Sequence, residues 1–372
     1  MKLRTIAAVK KNNIIYFSPM YLNGVFSLNL NNGNEVEFIN FFEEEKKLDF
    51  LYRRVYEYQG YLWFVPEQAE HVAKFNIATH EIQIYKFNYH KQSFNGMFRY
   101  SDSFVMSDKY LCLIPGNTDA LVIVNMQTGE ERIIYDVVDP EKESYISGTY
   151  VGKYIWLCPF ESDCLVRVDI ENGNIRKYKW VYGEKAFDGV CAVNNKLYFA
   201  PHKANVFLSI DVQNMNENKL DISDIKSVDD KFQGIFKIEN ELWCMPFTAK
   251  YFLRYNIRTS KIIKYIGNNC ELFENWEWLT NNFMPVDLEE KAVLASCFTD
   301  GFLVYEKEKN QIVNIKINFP ANKLDEYYEK CIQYGILSEQ FRTSVVEERE
   351  EFLKLYCKNI RKICKYDSEH EY

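Results

Sequence analysis

The sequence has few of the residues on which metal sites and reactive thiols depend. Only 5 of its 372 residues are histidine, and its 10 cysteines are spread singly, with no Cys-x-x-Cys pair. Zinc sites and thiol redox centres need such ligands at short spacing. The sequence therefore predicts no metal site and identifies no cofactor, and the cysteines are typical of small apolar side chains in a reducing compartment.

Long apolar runs and linear catalytic motifs are also missing. No stretch approaches the roughly 18 apolar residues that cross a bilayer, and residues 1–5 lead directly into a strand pattern without the apolar region of a signal peptide. The net charge of −8 repels nucleic acid. No nucleophile elbow, P-loop or zinc-protease helix motif is present. We expect a cytoplasmic protein that binds neither membranes nor nucleic acid.

Aromatic residues, in contrast, are abundant and belong to a repeat. Tyr, Phe and Trp make up 16% of the chain, which favours packed β-structure. Apolar segments such as LWFVP and LWCMP recur every 42 to 50 residues, and six of the seven copies end in a proline that we call the anchor. The six anchors, and the serine at the seventh place, are Pro19, Pro66, Pro115, Pro159, Pro201, Pro246 and Ser296.

Each anchor segment is preceded by one strand pattern and followed by two more, with a polar turn between the last two. Four antiparallel strands in 42 to 50 residues match one blade of a β-propeller, and seven copies fill residues 3–318. A β-sandwich also has short strands at regular spacing, but it does not repeat its own sequence seven times. The sequence therefore predicts an all-β fold, a seven-bladed β-propeller at 1–319, with a C-terminal helical segment at 320–366 and a polar tail at 367–372.

The repeat resembles propellers of the YVTN and NHL types. The resemblance rests on an apolar strand, a turn and a V-x-x-[ND] strand such as LVIVNM or LVRVDI in each copy. The Gly-His to Trp-Asp signature of WD repeats and the double glycine of kelch repeats are absent. The resemblance implies a fold and carries no activity.

The period changes to that of a helix after Pro320. Asn322 is the predicted N-cap, with Asp325 three residues later, and Gly335 is the predicted end. A second helix is predicted to start near Ser338. The apolar positions of the first helix are Leu324, Tyr327, Tyr328 and Cys331. The apolar face of the second helix either packs on the propeller or binds a partner, including a second copy in a homodimer.

Ligands of propellers usually lie over the central tunnel, where the chain enters each innermost strand. Alignment of the copies places a variable polar residue there, beside recurring aromatics and glycines that packing explains. The predicted ligand-binding residues are Arg53, Asn95, Ser147, Asp188, Gln233, Trp276 and Glu277, with Arg54 as an alternative to Arg53. Mixed hydrogen-bonding groups suit a polar ligand or a peptide side chain, although a solvated tunnel mouth is polar as well.

Two further sets of loop residues lie near the same mouth. The first is the residue four past each anchor, for which turn chemistry is the favoured role: Asn23, Glu70, Asp119, Asp163, Asn205, Lys250 and Asp300. The second is a pair of histidines, His71 and His202, which suit general-base chemistry. Histidines in loops are more often surface side chains.

Two functions remain open. The first is a recognition module that binds a peptide, a protein or a small polar ligand, with Trp276, Trp278, Phe160 and Phe247 as exposed aromatic contacts. The alternative is an enzyme, a lyase or hydrolase acting on a sugar or peptide, with Asp188, Glu277 and His202 as acid/base candidates. Propeller active sites combine single residues from many blades, so a missing linear motif does not exclude an enzyme.

Overall fold

The computed structural model describes residues 3–31, 35–45, 50–92, 99–224, 230–265, 283–287, 292–296, 301–317 and 319–336. Within these ranges the chain forms 28 strands in seven four-stranded antiparallel sheets, followed by one helix. Each sheet uses four consecutive strands in sequence order. The prediction of an all-β, seven-bladed propeller with a C-terminal helix is confirmed.

The strand bounds follow the repeat. The first three blades contain β1 (Ala7–Lys11), β2 (Ile14–Ser18), β3 (Val25–Asn29) and β4 (Val36–Asn40); β5 (Tyr52–Tyr58), β6 (Tyr61–Pro66), β7 (Val72–Asn76) and β8 (Ile82–Tyr85); and β9 (Tyr100–Met106), β10 (Tyr110–Pro115), β11 (Leu121–Asn125) and β12 (Glu131–Ile134). The fourth and fifth contain β13 (Ser144–Val151), β14 (Tyr154–Glu161), β15 (Cys164–Asp169) and β16 (Ile175–Lys179); and β17 (Phe187–Val193), β18 (Lys196–Pro201), β19 (Val206–Asp211) and β20 (Glu217–Asp221). The last two contain β21 (Phe232–Ile238), β22 (Glu241–Pro246), β23 (Phe252–Asn256) and β24 (Lys261–Tyr265); and β25 (Phe283–Asp287), β26 (Ala292–Ser296), β27 (Gly301–Glu306) and β28 (Gln311–Lys316).

The first strand of each blade is the innermost one. These strands contact each other around the ring, and β1 also contacts β25, so the ring is closed. Blade 1 and blade 7 are each built from one continuous stretch of chain, with no strand exchanged between them. Side-chain packing therefore has to hold this seam together, as in the edge-to-face contact of Phe17 with Phe302 at 5.9 Å between ring centroids.

Buried tryptophans of the anchor strands fill the spaces between blades. Trp63, Trp156 and Trp243 are fully buried, and each lies opposite a cation of the next strand. The three cross-strand pairs, with the distance from the charged atom to a ring centroid of the tryptophan, are Trp63 with Lys74 (5.0 Å), Trp156 with Arg167 (5.8 Å) and Trp243 with Arg254 (4.6 Å). Such cation–π pairs allow a long charged side chain to cover an aromatic ring at the blade surface.

The innermost strands share a bulge that follows from the anchor. In five blades the proline lies opposite an aromatic residue of the innermost strand, and the pairing register shifts directly after it. The opposing aromatics are Tyr52, Tyr100, Tyr145, Phe187 and Phe232. A bulge inserts an unpaired residue and re-aims the side chains beside it. The polar residues that follow these aromatics thereby reach the mouth of the central channel.

Glycine is required at one of these bulges. Gly189 has a φ of +121°, and a Cβ atom there would lie 2.7 Å from the Cα atom of Gly234 in the next blade. These two neighbouring innermost strands therefore approach so closely only because Gly189 lacks a side chain.

Blade 3 corrects the predicted alignment. The sequence places its innermost strand at residues 96–102, with Asn95 at the mouth, but β9 starts at Tyr100 and brings Asp102 to that place. The turn between β9 and β10 uses Ser107 and Asp108, both with positive φ, in place of the glycine that usually marks such a turn. Asn95 itself lies outside the described residues.

The helix α1 (Ala321–Gln333) packs its apolar face on the propeller. Its N-cap is Pro320, two residues before the predicted cap, and Asn322 lies inside the helix. The predicted end is confirmed: Gly335 has a φ of +66°, and its N–H donates to the Ile332 carbonyl in a Schellman motif. No helix in the described ranges is long and apolar enough to cross a membrane. The second predicted helix, and the homodimer it would form, lie outside these ranges.

Candidate functional site

The innermost strands of blades 2 to 6 surround a cavity of about 340 Å³, with Pro285 of blade 7 completing its lining. This volume is near the lower end of the range for small-molecule sites, which is roughly 300–1,000 Å³. Each blade supplies a short stretch of one strand to the wall. The cavity is therefore the central channel of the propeller.

Polar residues from five successive blades line this channel near the bulges. They are Arg53, Arg54, Asp102, Ser147, Asp188 and Gln233. Arg54, Asp102 and Ser147 occupy the same register position, opposite the residue that precedes the anchor. The structure thus brings together four of the seven predicted ligand-binding residues and adds Asp102. Trp276 and Glu277 lie outside the described residues.

Arg54, Asp102 and Ser147 form what we call the inner cluster. Arg54 donates to Asp102 Oδ1 through Nη2 at 3.0 Å and through Nε at 3.2 Å, and the Ser147 hydroxyl donates to Asp102 Oδ2 at 2.9 Å. The guanidinium also lies 5.4 Å from the centroid of the Phe236 ring. Burial alone would lower the pKa of Arg54, but Asp102 raises it above its ordinary value. The hydrogen bonds of these three residues connect blades 2, 3 and 4 along the channel wall.

Asp188, His202 and Asp230 form the outer cluster. Asp188 Oδ2 lies 3.9 Å from His202 Nδ1, and Asp230 Oδ1 lies 3.2 Å from His202 Nε2 without the alignment of a hydrogen bond. His202 Nδ1 is also 2.9 Å from the Phe232 carbonyl, so this nitrogen is the donor. Asp188 lines the channel, whereas His202 and Asp230 lie behind it. The histidine is thus held between two carboxylates.

His202 is a buried residue, contrary to the surface position that the sequence favoured. Its side chain lies between Phe160 and Phe247, with ring centroids 5.9 and 5.4 Å away. All three residues directly follow an anchor, in blades 4, 5 and 6. Phe247 is therefore buried and not an exposed contact as predicted, and His71 of blade 2 takes no part in this cluster. Trp278, the fourth predicted aromatic contact, lies outside the described residues.

The outer cluster has perturbed protonation equilibria. Burial raises the pKa of Asp188 to about 6, although His202 and Arg53 oppose this shift. Burial would lower the pKa of His202, but Asp230 and Asp188 raise it above its ordinary value. Burial likewise opposes ionisation of Asp230, whose pKa is nevertheless lowered by His202 and nearby lysines. Asp188 is consequently a buried carboxyl group whose charge changes near pH 6.

The contribution of Asp188 to the stability of the protein is expected to fall as the pH rises from about 4 to 6. In this window the folded state holds the Asp188 proton more tightly than the unfolded state, whose pKa is near 3.8, so stability is lost until the folded pKa is passed. A difference of about two pKa units corresponds to about 3 kcal/mol. Urea unfolding at several pH values should show that Asp188→Asn removes this loss.

The exposed Asp108→Asn change in the β9–β10 turn is the matched control for this series. It should leave the pH dependence of the wild type unchanged. Parallel pH profiles for the wild type and Asp188→Asn would contradict the assignment of this proton to Asp188.

Asp102 and Asp230 are the members of the site that the sequence did not indicate. Asp102 was hidden by the misplaced strand of blade 3. Asp230 precedes its innermost strand by two residues, at a loop position that has no recurring residue type in the other blades. The recurring position directly after the anchor was a usable signal for His202, since Phe160 and Phe247 hold it in the neighbouring blades.

Comparison with known proteins supports the fold alone. No protein-family model and no curated protein matches the sequence. Among solved structures, the chain is similar to a streptogramin B lyase (14% identity, TM-score 0.59, covering 80% of this chain and 92% of that one) and to a catalytically inactive virginiamycin B lyase from Staphylococcus aureus with quinupristin (12%, 0.58, 80% and 92%). It is also similar to the extracellular domain described as that of a hybrid two-component system of B. thetaiotaomicron (12%, 0.57, 85% of this chain and 44% of that one). The propeller is thereby confirmed, while the YVTN and NHL repeat type stays a prediction.

Proposed function

We propose that the propeller binds a small polar ligand in the mouth of its central channel. The observation that carries this proposal is the set of polar side chains that the bulges of blades 2 to 6 bring into one cavity of about 340 Å³. One of them, Gln233, has a buried Oε1 that accepts no hydrogen bond from the described residues. Buried acceptors of this kind are normally satisfied, by protein, water or ligand.

The depth of these groups favours a small molecule, or one side chain of a peptide, over a protein surface. Arg53, Ser147 and Asp188 are all buried, so a flat partner would not reach them. Ligands that fit such recessed cavities are held by a few converging polar groups.

The charges indicate the chemistry of the ligand. Asp188 and Gln233 present acceptors, and Arg53 presents guanidinium donors, from neighbouring parts of the channel wall. A ligand that carries a hydroxyl or ammonium donor at one end and an acceptor or anionic group at the other would match this arrangement. Amino sugars, sugar acids and short peptides have these features.

A thermal-shift screen with such compounds tests the proposal. A ligand at 100 times its Kd stabilises the folded state by about 2.7 kcal/mol, so the melting temperature should rise. Gln233→Ala and Asp188→Ala should each reduce this shift, whereas Gln213→Ala, at an exposed position, should leave it intact. A shift that survives both channel variants, or a panel without any shift, would count against a small-ligand site.

The outer cluster favours an enzyme as the second candidate. A carboxyl group with a pKa of about 6 that faces a cavity, supported by a buried histidine, is suited to move a proton at neutral pH. In such a reaction Asp188 would accept the proton. His202 would hold the Asp188 carboxylate in place, and Asp230 would compensate the positive charge of His202. Turnover of a bound sugar or peptide that is lost in Asp188→Asn, while the thermal shift remains, would distinguish catalysis from binding.

A further inference from the structure

A second group of potential ligands lies in blade 3, outside the channel. Asp119, in the loop between β10 and β11, has a side chain that is 0% exposed, and neither of its carboxylate oxygens has a hydrogen-bond partner among the described residues. A buried carboxylate without such partners is destabilising by several kcal/mol unless a cation compensates its charge. The turn role predicted for this position, in which the side chain accepts hydrogen bonds from backbone N–H groups, is not observed for Asp119 in the described residues.

Two further donor atoms face this carboxylate. His90 Nδ1 lies 3.8 Å from Asp119 Oδ2 and 3.9 Å from Asp136 Oδ2. One donor atom from each of the three residues falls within 4.8 Å of the other two. These distances are too long for direct hydrogen bonds. They are close to those around a shared ion, since metal–ligand bonds of about 2.0–2.2 Å place donors roughly 3 to 3.5 Å apart.

The backbone holds the three residues together without an ion. The Asp119 N–H donates to the Lys91 carbonyl at 3.3 Å, and the Asp119 carbonyl accepts from the Val137 N–H at 3.0 Å. The His90 ring stacks on Tyr135 at a centroid distance of 3.8 Å. The segments that carry His90 and Asp136 are therefore both anchored beside Asp119. Only small rotations of two exposed side chains are needed to bring the donors around one ion.

Asp136 has an uncommon backbone conformation. Its φ is +55°, a left-handed conformation that residues other than glycine adopt at some cost in energy. Asp136 lies two residues after the end of the outermost strand of blade 3, and its carboxylate comes within 3.9 Å of His90.

The corresponding residues of the next two blades show what is particular to blade 3. The carbonyl groups of Asp163 and Asn205 accept from Trp180 and Ile222 in the same way as that of Asp119 does from Val137. Asp163 is exposed, and of these three positions only Asp119 faces a histidine among the described residues. The shared backbone pattern is thus a feature of the repeat, and the cluster of three side chains is not.

We propose that His90, Asp119 and Asp136 bind one divalent transition-metal ion, with water in the remaining positions. One imidazole nitrogen and two carboxylates suit Zn²⁺ or Mn²⁺, whereas Mg²⁺ and Ca²⁺ prefer oxygen ligands alone. None of the three residues lines the channel cavity. The ion would link three segments: the connection between blades 2 and 3, which carries His90, the β10–β11 loop, which carries Asp119, and the end of the outermost strand of blade 3, which is followed by Asp136. The sequence predicted no metal site, and the titration of this cluster tests that prediction as well.

Calorimetric titration of the metal-free 372-residue chain with Zn²⁺ tests the site. We expect one site in the wild type that Asp119→Asn and His90→Ala each weaken at least tenfold, because each removes one ligand. His90 is exposed, so its variant keeps the test valid if Asp119→Asn does not fold. Asp163→Asn, at the equivalent position of blade 4, should bind Zn²⁺ as the wild type does.

Cobalt gives an independent readout. Co²⁺ in the site should give a visible absorption spectrum in the wild type and in Asp163→Asn that is lost in His90→Ala. Equal Zn²⁺ affinity in the wild type, Asp119→Asn and His90→Ala, or no binding by the wild type, would overturn the proposal. So would a Co²⁺ spectrum that does not depend on His90.

Discussion

Replacing Arg54 with alanine is expected to lower the free energy of unfolding by about 3–5 kcal/mol, the usual effect of leaving a buried charge without its partner. Arg54 and Asp102 are only 9% and 13% exposed, and the guanidinium makes two of the three hydrogen bonds that the Asp102 carboxylate accepts in the inner cluster. Without Arg54, only Ser147 would remain as a donor to this carboxylate. Urea unfolding of the wild type and the variant measures the difference.

A surface ion pair of the same length provides the control. Lys264 lies 3.1 Å from Asp224, but the two side chains are 40% and 77% exposed. Lys264→Ala should therefore change stability by less than about 1 kcal/mol. Combining Arg54→Met with Asp102→Leu should recover much of the loss, because no charge is then left alone in the channel wall. An Arg54→Ala variant as stable as Lys264→Ala would show that the inner cluster does not hold the blades together.

The fold could be predicted because each blade of a propeller repeats a similar sequence pattern. In five blades the anchor proline lies opposite an aromatic residue, and each blade packs its apolar strands against its neighbours, so a similar pattern recurs along the chain. The prediction was wrong where a turn used unusual residues. Ser107 and Asp108 adopt positive φ values without glycine, and the innermost strand of blade 3 was therefore placed too early.

The candidate site was predictable only where it follows the repeat. Ser147, Asp188 and Gln233 occupy the variable position after a recurring aromatic, and the structure places all three on the channel. Contacts between blades do not leave such a signal. The burial of His202 depends on Phe160 and Phe247, each about 40 or more residues away in the sequence. The pairing of Arg54 with Asp102 depends likewise on the way two blades meet.

The two clusters in the channel wall differ in what they contribute. In the inner cluster every charge is paired, so it fixes the relative positions of blades 2, 3 and 4. In the outer cluster the Asp188 carboxylate, with its raised pKa, faces the cavity while His202 lies behind it. The inner cluster thus makes one part of the channel wall rigid, and the outer cluster supplies a titratable group. Binding or proton transfer in a small cavity requires both.

Replacing Tyr327 of α1 with alanine should also destabilise the protein, by about 3–5 kcal/mol, as expected for a large aromatic removed from a core. Tyr327 is fully buried in an apolar cluster that includes residues of blades 1 and 7, and its ring lies 5.2 Å from Phe38 and 5.7 Å from Phe26, both of blade 1. Its hydroxyl donates to the Asn23 carbonyl at 3.0 Å. Because no strand crosses the seam between blades 1 and 7, α1 supplies packing that strand exchange would otherwise provide.

Two variants separate the parts of this contact. Tyr327→Phe keeps the ring and should cost only about 1 kcal/mol for the lost hydrogen bond, and Gln333→Ala, at an exposed position of the same helix, should have no measurable effect. Hydrogen exchange adds a spatial readout: in Tyr327→Ala, protection should fall in β1 and β3 of blade 1 more than in β13 and β14 of blade 4. If α1 stabilises blade 1 locally, its loss should open blade 1 before the distant blades. An equal loss of protection in all blades would show instead that the whole ring opens together and that α1 has no local role.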